Sequence, residues 1–221
     1  GTVGPGDIAI NHIAPAITKR HHSRLTACMG SSLQKSGAFA EQFGVANICR
    51  SYDELAENPE VDVIYVATPN ALHHPAVLAA AHAKKHVLCE KPFALSPVHA
   101  SDMVEACLRA GVILRIAHQI RLETIVQRVR DAVLSGALGE LRSIAFERVA
   151  PVNQPGSWRN DPRQGGILFD VAVHLLDLVV WITGMQFREV SAISNPDRRD
   201  GKPDNTIAIL GRIGDHCNVV I

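Results

Sequence analysis

The sequence of 221 residues lacks the features that would place it in a membrane or on a nucleic acid. No uninterrupted apolar run is long enough to cross a bilayer, and no signal-peptide pattern opens the chain. The 22 basic and 22 acidic side chains give a formal net charge of +0, so electrostatics offers no reason to expect nucleic acid or an anionic membrane as a partner. We therefore expect a soluble, cytoplasmic protein.

Cysteine is scarce, and the five thiols include no C-x-x-C pair. Their odd number and scattered positions are not typical of a disulfide framework or of a zinc site. We interpret them as small buried hydrophobes in a reducing compartment, and we expect no metal centre. They are Cys28, Cys49, Cys89, Cys107 and Cys217.

Apolar runs that resemble strands alternate with helical patterns up to about residue 118. The predicted strands cover residues 25–29, 61–67, 86–89 and 112–117, after a short first strand at residues 1–3. The predicted helices cover residues 32–43, 71–84 and 97–110, with a shorter helix that opens at the capping box of residues 51–54. This alternation is typical of βαβ units, and it predicts a doubly wound parallel sheet with helices on both faces.

The segment GPGDIA at residues 4–9 matches the pattern G-x-G-x-x-A. Glycines in this pattern permit a tight turn and a close approach of the backbone to a pyrophosphate. The match alone is weak, since an ordinary glycine turn would also produce it, but the alternation that follows favours dinucleotide binding. Because so little of a strand precedes the turn, we expect that a few residues of the first strand are missing.

The acidic residue that would hold the adenosine 2′-hydroxyl of NAD is absent from its expected place. No Asp or Glu occurs between Asp7 and Glu41, and Ser31, Ser32 and Lys35 follow the second predicted strand instead. Without a carboxylate there is no repulsion of a 2′-phosphate, and hydroxyls with a lysine are able to bind one. We therefore expect NADP to be preferred over NAD.

Two predicted strands end in polar residues. The first is followed by T-P-N at residues 68–70 and by His73, and the second is followed by Glu90, Lys91 and Pro92. A turn with two solvated charges would be the simpler interpretation of Glu90 and Lys91 in isolation. In open parallel sheets, however, ligands bind at the carboxyl ends of the strands, so we expect both loops on the cofactor side.

Beyond residue 118 the pattern changes to that of an α+β domain. Helices are predicted at residues 123–135 and 167–183, strands at 140–149, 188–194, 206–212 and 217–221, and a loop rich in Pro, Gly and Asn at 151–166. These strands predict a largely antiparallel open sheet. Since the chain stops inside the last predicted strand, we expect this domain to be incomplete.

The helix predicted at residues 167–183 is apolar on nearly every side except at Asp170, His174 and Asp177. In an α-helix these positions, i, i+4 and i+7, form one narrow stripe. The alternative is the solvent-facing edge of an amphipathic helix, but such an edge is usually broader and carries Lys, Glu or Gln, which this segment lacks. The stripe therefore favours the wall of a site.

Several spaced motifs together resemble the Gfo/Idh/MocA family of nicotinamide-dependent oxidoreductases, which includes glucose–fructose oxidoreductase and inositol dehydrogenase. The most specific combination is E-K-P at residues 90–92 with D-x-x-x-H at residues 170–174, accompanied by GPGDIA, SGALGELRS and SWRNDPRQGGILFD. The resemblance covers essentially the whole chain. It implies a Rossmann domain at residues 1–118 and a C-terminal domain at residues 119–221, whose sheet often joins identical subunits into an oligomer.

The resemblance also implies roles for single residues. Lys91 matches the active-site lysine of the family, and Asp170 and His174 match its aspartate and histidine. The positions that it places near the substrate are Arg121, Trp158 and Arg159. The positions that it places along the cofactor are Gly4, Gly6, Asp7, Ile8, Ser31, Ser32, Lys35, Thr68, Pro69, Asn70, His73, Glu90 and Lys91.

The reaction that follows from the resemblance moves a hydride between NADP, or NAD, and a secondary alcohol of a sugar, polyol or related cyclic alcohol. We expect His174 to be the general base or acid, Lys91 to stabilise the developing alkoxide, and Asp170 to orient these groups. Two alternatives stay open, namely a non-catalytic NAD(P)-binding sensor or regulator, and an NAD-dependent glycosidase of the same fold. Retention of all three residues argues against the sensor.

Overall fold

The computed structural model describes residues 1–150, 157–196 and 200–221 of the chain. The chain forms two compact units, Gly1–Ala117 and His118–Ile221, so His118 belongs to the second unit. The first six residues of the loop predicted at residues 151–166 lie outside the described residues.

The first unit is built on a parallel sheet, which confirms the predicted Rossmann-type fold. Its strands are β1 (Thr2–Val3), β2 (Ala27–Met29), β3 (Asn47–Ile48), β4 (Val63–Val66), β5 (His86–Cys89) and β6 (Leu114–Ile116). They lie in the order β3-β2-β1-β4-β5-β6, and every pairing is parallel. The sequence does not predict β3, because two residues are too few to show a period-2 pattern. The direction of winding reverses between β1 and β4, which is where sheets of this class bind ligands.

Helices cover both faces of this sheet. They are α1 (Ala14–Thr18), α2 (Leu33–Phe43), α3 (Tyr52–Glu57), α4 (His73–His82) and α5 (Pro97–Ala110). A π-helical segment at Ala9–Ile13 leads into α1, and a 3₁₀ turn at Asn70–Leu72 leads into α4. Ala27 and Cys28 are adjacent in β2 but pack in different hydrophobic clusters, since successive residues of a strand point to opposite faces.

Serine caps and terminal glycines set the boundaries of several helices, and the predicted capping box at residues 51–54 is confirmed. The hydroxyls of Ser32, Ser51 and Ser96 each accept a hydrogen bond from the backbone N–H three residues later, at 3.2, 3.0 and 3.2 Å. Gly44 and Gly111 end α2 and α5 in the left-handed region, with φ of 66° and 68°. The loops that precede α2, α3 and α5 are therefore fixed at the helix end.

The second unit contains a four-stranded sheet. Its strands are β7 (Ser143–Ala145), β8 (Phe187–Asn195), β9 (Thr206–Ile213) and β10 (Cys217–Val220), in the order β7-β10-β9-β8. The pairs β8–β9 and β9–β10 are antiparallel and β7–β10 is parallel, which confirms the predicted, largely antiparallel sheet. The strand predicted at residues 140–149 is too long, because its ladder to β10 extends only over the three residues opposite residues 218–220.

Helices of the second unit include α6 (Thr124–Leu134) and α7 (Val173–Thr183). The helix predicted at residues 167–183 is not uniform, because a π-helical segment at Leu168–Ala172 precedes α7. Short 3₁₀ segments lie at Gln119–Leu122 and Trp158–Asn160. α7 packs on the sheet through a shared cluster of buried residues, which comprises Val179, Ile213, Cys217 and Val219.

The described ranges contain no helix that is both long enough and apolar enough to cross a membrane. Within the same ranges, no group of three or more His, Cys, Asp or Glu side chains is arranged to hold a metal ion. The five cysteines are buried, and burial raises the pKa of the Cys28 thiol to about 11 and also raises that of Cys89. These two thiols therefore stay protonated at neutral pH.

Candidate active site

The glycine turn at residues 4–6 connects β1 to the helix that follows it. Gly4 has a φ of +76°, and a Cβ on it would lie 2.7 Å from the backbone nitrogen of Thr68. The N–H of Gly4 donates to the carbonyl of Met29 at 2.8 Å, which ties the turn to β2. A Cβ on Gly6 would meet nothing nearer than 4.0 Å. Only glycine fits at position 4. The space beside the Cα of Gly6 is open, and its N–H donates to the carbonyl of Gly4 at 2.7 Å.

Exposed polar side chains follow β2 at Ser31, Ser32 and Lys35. The Ser32 hydroxyl caps α2 by accepting from the Lys35 N–H at 3.2 Å. Ser36, which no pattern in the sequence indicates, is 1% exposed, and its hydroxyl accepts from the Gly30 N–H at 2.7 Å. Ser36 therefore holds this turn from inside, so that the turn presents Ser31 and Lys35 to solvent.

His73 joins the loops that follow β4 and β5. It is fully buried, with Nδ1 3.0 Å from the carbonyl oxygen of Pro92 and Nε2 3.1 Å from that of Thr68. Burial lowers the pKa of His73, and the backbone carbonyls that it faces act in the opposite direction. Asn70 is buried as well, whereas Thr68 and Pro69 are half-buried. His73 thus holds the two loops together from within.

Glu90 is fixed by the strand beside it. Its Oε1 accepts from the Tyr65 hydroxyl of β4 at 2.7 Å, and its Oε2 accepts from the Lys91 N–H at 3.3 Å. Burial and the adjacent carboxylate raise the pKa of Tyr65, so the hydroxyl remains a donor. Lys91 is half-buried, and its peptide bond to Pro92 is cis. The loop that carries Lys91 is therefore anchored through Glu90 on one side and through His73 on the other.

Asp170 lies on the π-helical segment and pairs with Arg159. The Nε of Arg159 donates to Asp170 Oδ2 at 2.9 Å, and the guanidinium lies 4.7 Å from the centroid of the Trp158 ring. A Cβ on Gly165 would lie 2.0 Å from the carbonyl oxygen of Arg159, so only glycine allows the chain to pass here. The structure thus brings together Trp158, Arg159 and Asp170, three of the residues expected at the site.

The rest of the polar stripe is buried, so it is not a solvent-facing edge. His174 is 5% exposed, and the Asp177 side chain is 12% exposed. Arg121 forms a two-point ion pair with Asp177, in which Nε donates to Oδ2 at 2.7 Å and Nη2 donates to Oδ1. The ring of His118 stands edge-on to that of His174, with centroids 6.4 Å apart. No pattern in the sequence indicates His118, and Arg121, expected near the substrate, is engaged with Asp177.

Each unit therefore carries a different group of the predicted site residues. The first unit offers an open glycine turn, exposed hydroxyls and a lysine at the carboxyl ends of its strands. The second unit offers a buried histidine on a helix whose two carboxylates are each paired with an arginine. The former suits a phosphate-bearing ligand, and the latter suits proton transfer.

Family comparisons cover both units. Residues 1–118 match the family described as "Oxidoreductase family, NAD-binding Rossmann fold", and residues 126–221 match the "GFO/IDH/MocA C-terminal domain". These matches confirm the resemblance that the motifs indicate.

Individual relatives agree with the family matches. The 1,5-anhydro-D-fructose reductase of Ensifer adhaerens is 33% identical over 198 residues, which are 88% of this chain and 59% of that protein. The 2,7-anhydro-N-acetylneuraminate hydratase of Escherichia coli is 39% identical over 136 residues, which are 61% of this chain and 37% of that protein. The crystal structure of the aldose–aldose oxidoreductase of Caulobacter crescentus complexed with glycerol has a TM-score of 0.88 at 30% identity, covering 99% of this chain and 69% of that one.

The chain spans less than two thirds of the length of these two curated relatives, since it covers 59% of one and 37% of the other. Its own residues are matched almost from end to end by the two family domains. The chain therefore belongs to the Gfo/Idh/MocA family of oxidoreductases and contains the NAD-binding Rossmann domain of that family.

Proposed function

We propose that the protein transfers a hydride between NAD(P) and a secondary alcohol of a sugar, a polyol or a related cyclic alcohol. The observation that carries the proposal is the burial of His174 in an otherwise apolar helix, with Asp170 and Asp177 on the same helical stretch. Relatives named as a sugar reductase and an aldose oxidoreductase support the same reaction class.

The first unit fits the nucleotide that such a reaction requires. Gly4 has no room for a side chain and the space beside the Cα of Gly6 is open, which suits the close approach of a pyrophosphate to the turn. Ser31 and Lys35 are exposed after β2, and no carboxylate between Asp7 and Glu41 would repel a 2′-phosphate. This composition supports a preference for NADP over NAD. When bound, the nicotinamide supplies the hydride acceptor or donor.

The side chains of the chain supply proton transfer and charge stabilisation. His174 takes the hydroxyl proton as the alcohol is oxidised and returns it in the reverse reaction, because an imidazole exchanges protons readily near neutral pH. The Lys91 ammonium stabilises the negative charge that develops on the alcohol oxygen. Asp170, whose carboxylate Arg159 fixes, orients the reacting hydroxyl and His174.

A second candidate is a reaction in which a hydride leaves the substrate and returns to it within one turnover, so that net oxidation is zero. The observation that favours it is the 39% identity to a protein named as a hydratase. An NAD-dependent glycosidase would belong to the same class. His174 and Lys91 would serve this reaction in the same roles.

A substrate screen separates these candidates. The protein, expressed from its complete reading frame, is incubated with NADP or NAD and a panel of sugars, polyols and diols, while reduced nicotinamide is followed by absorbance and products by chromatography. We expect reduction of NADP with at least one secondary alcohol. A new product without net cofactor reduction would support the second candidate, whereas cofactor binding without any product would contradict both.

A further inference from the structure

Three polar side chains beside His174 have no part in the mechanism above. His118 and Arg121 lie at the 3₁₀ turn that opens the second unit, and Asp177 lies on α7 three residues after His174. The side chains of His118 and Asp177 are only 14% and 12% exposed. Charged groups are costly to bury unless they are paired, so a buried group of this kind needs a reason.

The ion pair fixes the plane of the Asp177 carboxylate. Because Arg121 donates to both oxygens, through Nε at 2.7 Å and through Nη2, the carboxylate cannot rotate without losing one of these bonds. The same Oδ2 lies 3.4 Å from Nδ1 of His118. This contact does not have hydrogen-bond geometry, so the fixed carboxylate acts on the His118 ring through its charge and its close packing.

The His118 ring in turn packs edge-on against the His174 ring. Its centroid is 6.4 Å from that of His174, and the two ring planes make an angle of 83°. We propose that Arg121, Asp177 and His118 are positioning residues, which hold the His118 ring edge-on against His174 and so keep the proton-transferring imidazole in one orientation. The proposal rests on the proposed function for the role of His174, and it reassigns Arg121 from the substrate to this group.

Two substitutions test the proposal at different points of the group. Asp177→Asn keeps the shape of the side chain but removes its charge, and His118→Phe keeps a ring but removes both nitrogens. We expect kcat to fall by about 10- to 100-fold in Asp177→Asn, because a small displacement of a group that transfers a proton is enough to slow the reaction by this much. The KM for the alcohol and the Kd for NADP should change by no more than about 2-fold, since neither ligand loses a contact.

Arg130 provides a matched control. Like Arg121, Arg130 binds to α7 from outside the helix. Its Nε donates to the Trp181 carbonyl at 3.0 Å, and its guanidinium lies 4.8 Å from the centroid of the Trp181 ring. Arg130→Met should lower the melting temperature and leave kcat unchanged. If Asp177→Asn behaves like Arg130→Met, with a lower melting temperature and wild-type kcat, the ion pair is structural and the proposal is wrong.

A spectroscopic measurement makes the result independent of turnover. Imidazole ¹⁵N–¹H spectra of the wild-type protein and the variants report the tautomer and environment of His174 directly. We expect the His174 signals to shift in Asp177→Asn and in His118→Phe but not in Arg130→Met. Unchanged His174 signals in both variants would overturn the proposal, even if Asp177→Asn were too unstable for kinetics. Absence of wild-type turnover in the substrate screen would instead reject the proposed function, so the two failures are distinguishable.

Discussion

The two units build their candidate functional groups from different components. In the first unit, backbone geometry decides the shape, as at Gly4, whose positive φ and contact with the next loop exclude any side chain. In the second unit, paired side chains decide it, because Arg159 fixes Asp170 and Arg121 fixes Asp177. A nucleotide presents phosphates that backbone N–H groups can bind, whereas proton transfer needs ionisable side chains held in place. The first unit therefore depends on where its backbone has room for a ligand, and the second depends on which side chains are paired.

Removal of a reacting side chain should have the largest effect on kcat, and it should separate turnover from cofactor binding. We expect His174→Ala and Lys91→Met to lower kcat by about 10²- to 10⁴-fold, because each removes a group that acts on the hydroxyl. NADP binding, measured by fluorescence titration, should persist in both. His216 is an exposed histidine of the unit that contains His174, so His216→Ala serves as the control and should keep wild-type kcat. Near wild-type turnover in either active-site variant would refute the assignment.

A methyl group added to one glycine in each unit should distinguish cofactor binding from turnover. Gly4→Ala forces a Cβ against the Thr68 backbone, and we expect a loss of NADP affinity that corresponds to about 1–3 kcal/mol. Gly165→Ala forces a Cβ against the Arg159 carbonyl, so it should impair turnover while NADP still binds. Binding titrations and steady-state kinetics on both variants check this.

Gly37 supplies the control for these glycine substitutions. It lies inside α2, and a Cβ there would meet nothing within 4 Å. Gly37→Ala should therefore raise the free energy of unfolding by about 0.5–1 kcal/mol and leave both binding and turnover intact. Equal loss of NADP binding in Gly4→Ala and Gly165→Ala would remove the contrast between the units.

The smallest expected effect concerns the choice of cofactor. Lys35→Ala should weaken NADP binding by about 2- to 5-fold, because an exposed charge pair contributes roughly 0.2–1 kcal/mol. NAD binding should not change, since NAD carries no 2′-phosphate, and Lys35→Arg should retain the preference. Dissociation constants for both cofactors measure this effect. Tighter binding of NAD than of NADP by the wild-type chain would contradict the expected preference.

Local patterns were enough to predict most elements of the fold. The start of α3, for example, followed from the capping box of residues 51–54, whose side chains lie near one another in sequence. Edge strands were less predictable, because β7 extends only as far as its pairing with β10 allows. The extent of an edge strand is thus decided by a partner that is remote in sequence.

Contacts between remote residues explain what the sequence did not show at the site. The hydrogen bond from Tyr65 to Glu90 depends on sheet register, since Tyr65 lies opposite Leu88, two residues before Glu90. Likewise the polar stripe indicated that Asp177 faces a site, but its partner Arg121 lies 56 residues away along the chain. Residue type and spacing identified the groups, and only the folded structure paired them.

The π-helical segment Leu168–Ala172 has a consequence for changes in chain length. Successive residues of an α-helix are rotated by about 100° around the axis, and a π-turn accommodates one residue more than an α-turn. Deletion of one codon between Asp170 and His174 would remove the extra residue and let the segment continue as a regular α-helix, with the residues on its two sides kept nearly in register. A deletion between His174 and Asp177, inside the regular helix α7, would instead rotate Asp177 by about 100° relative to His174. The π-helical segment is therefore a place where this helix can lose one residue without turning its two ends relative to each other.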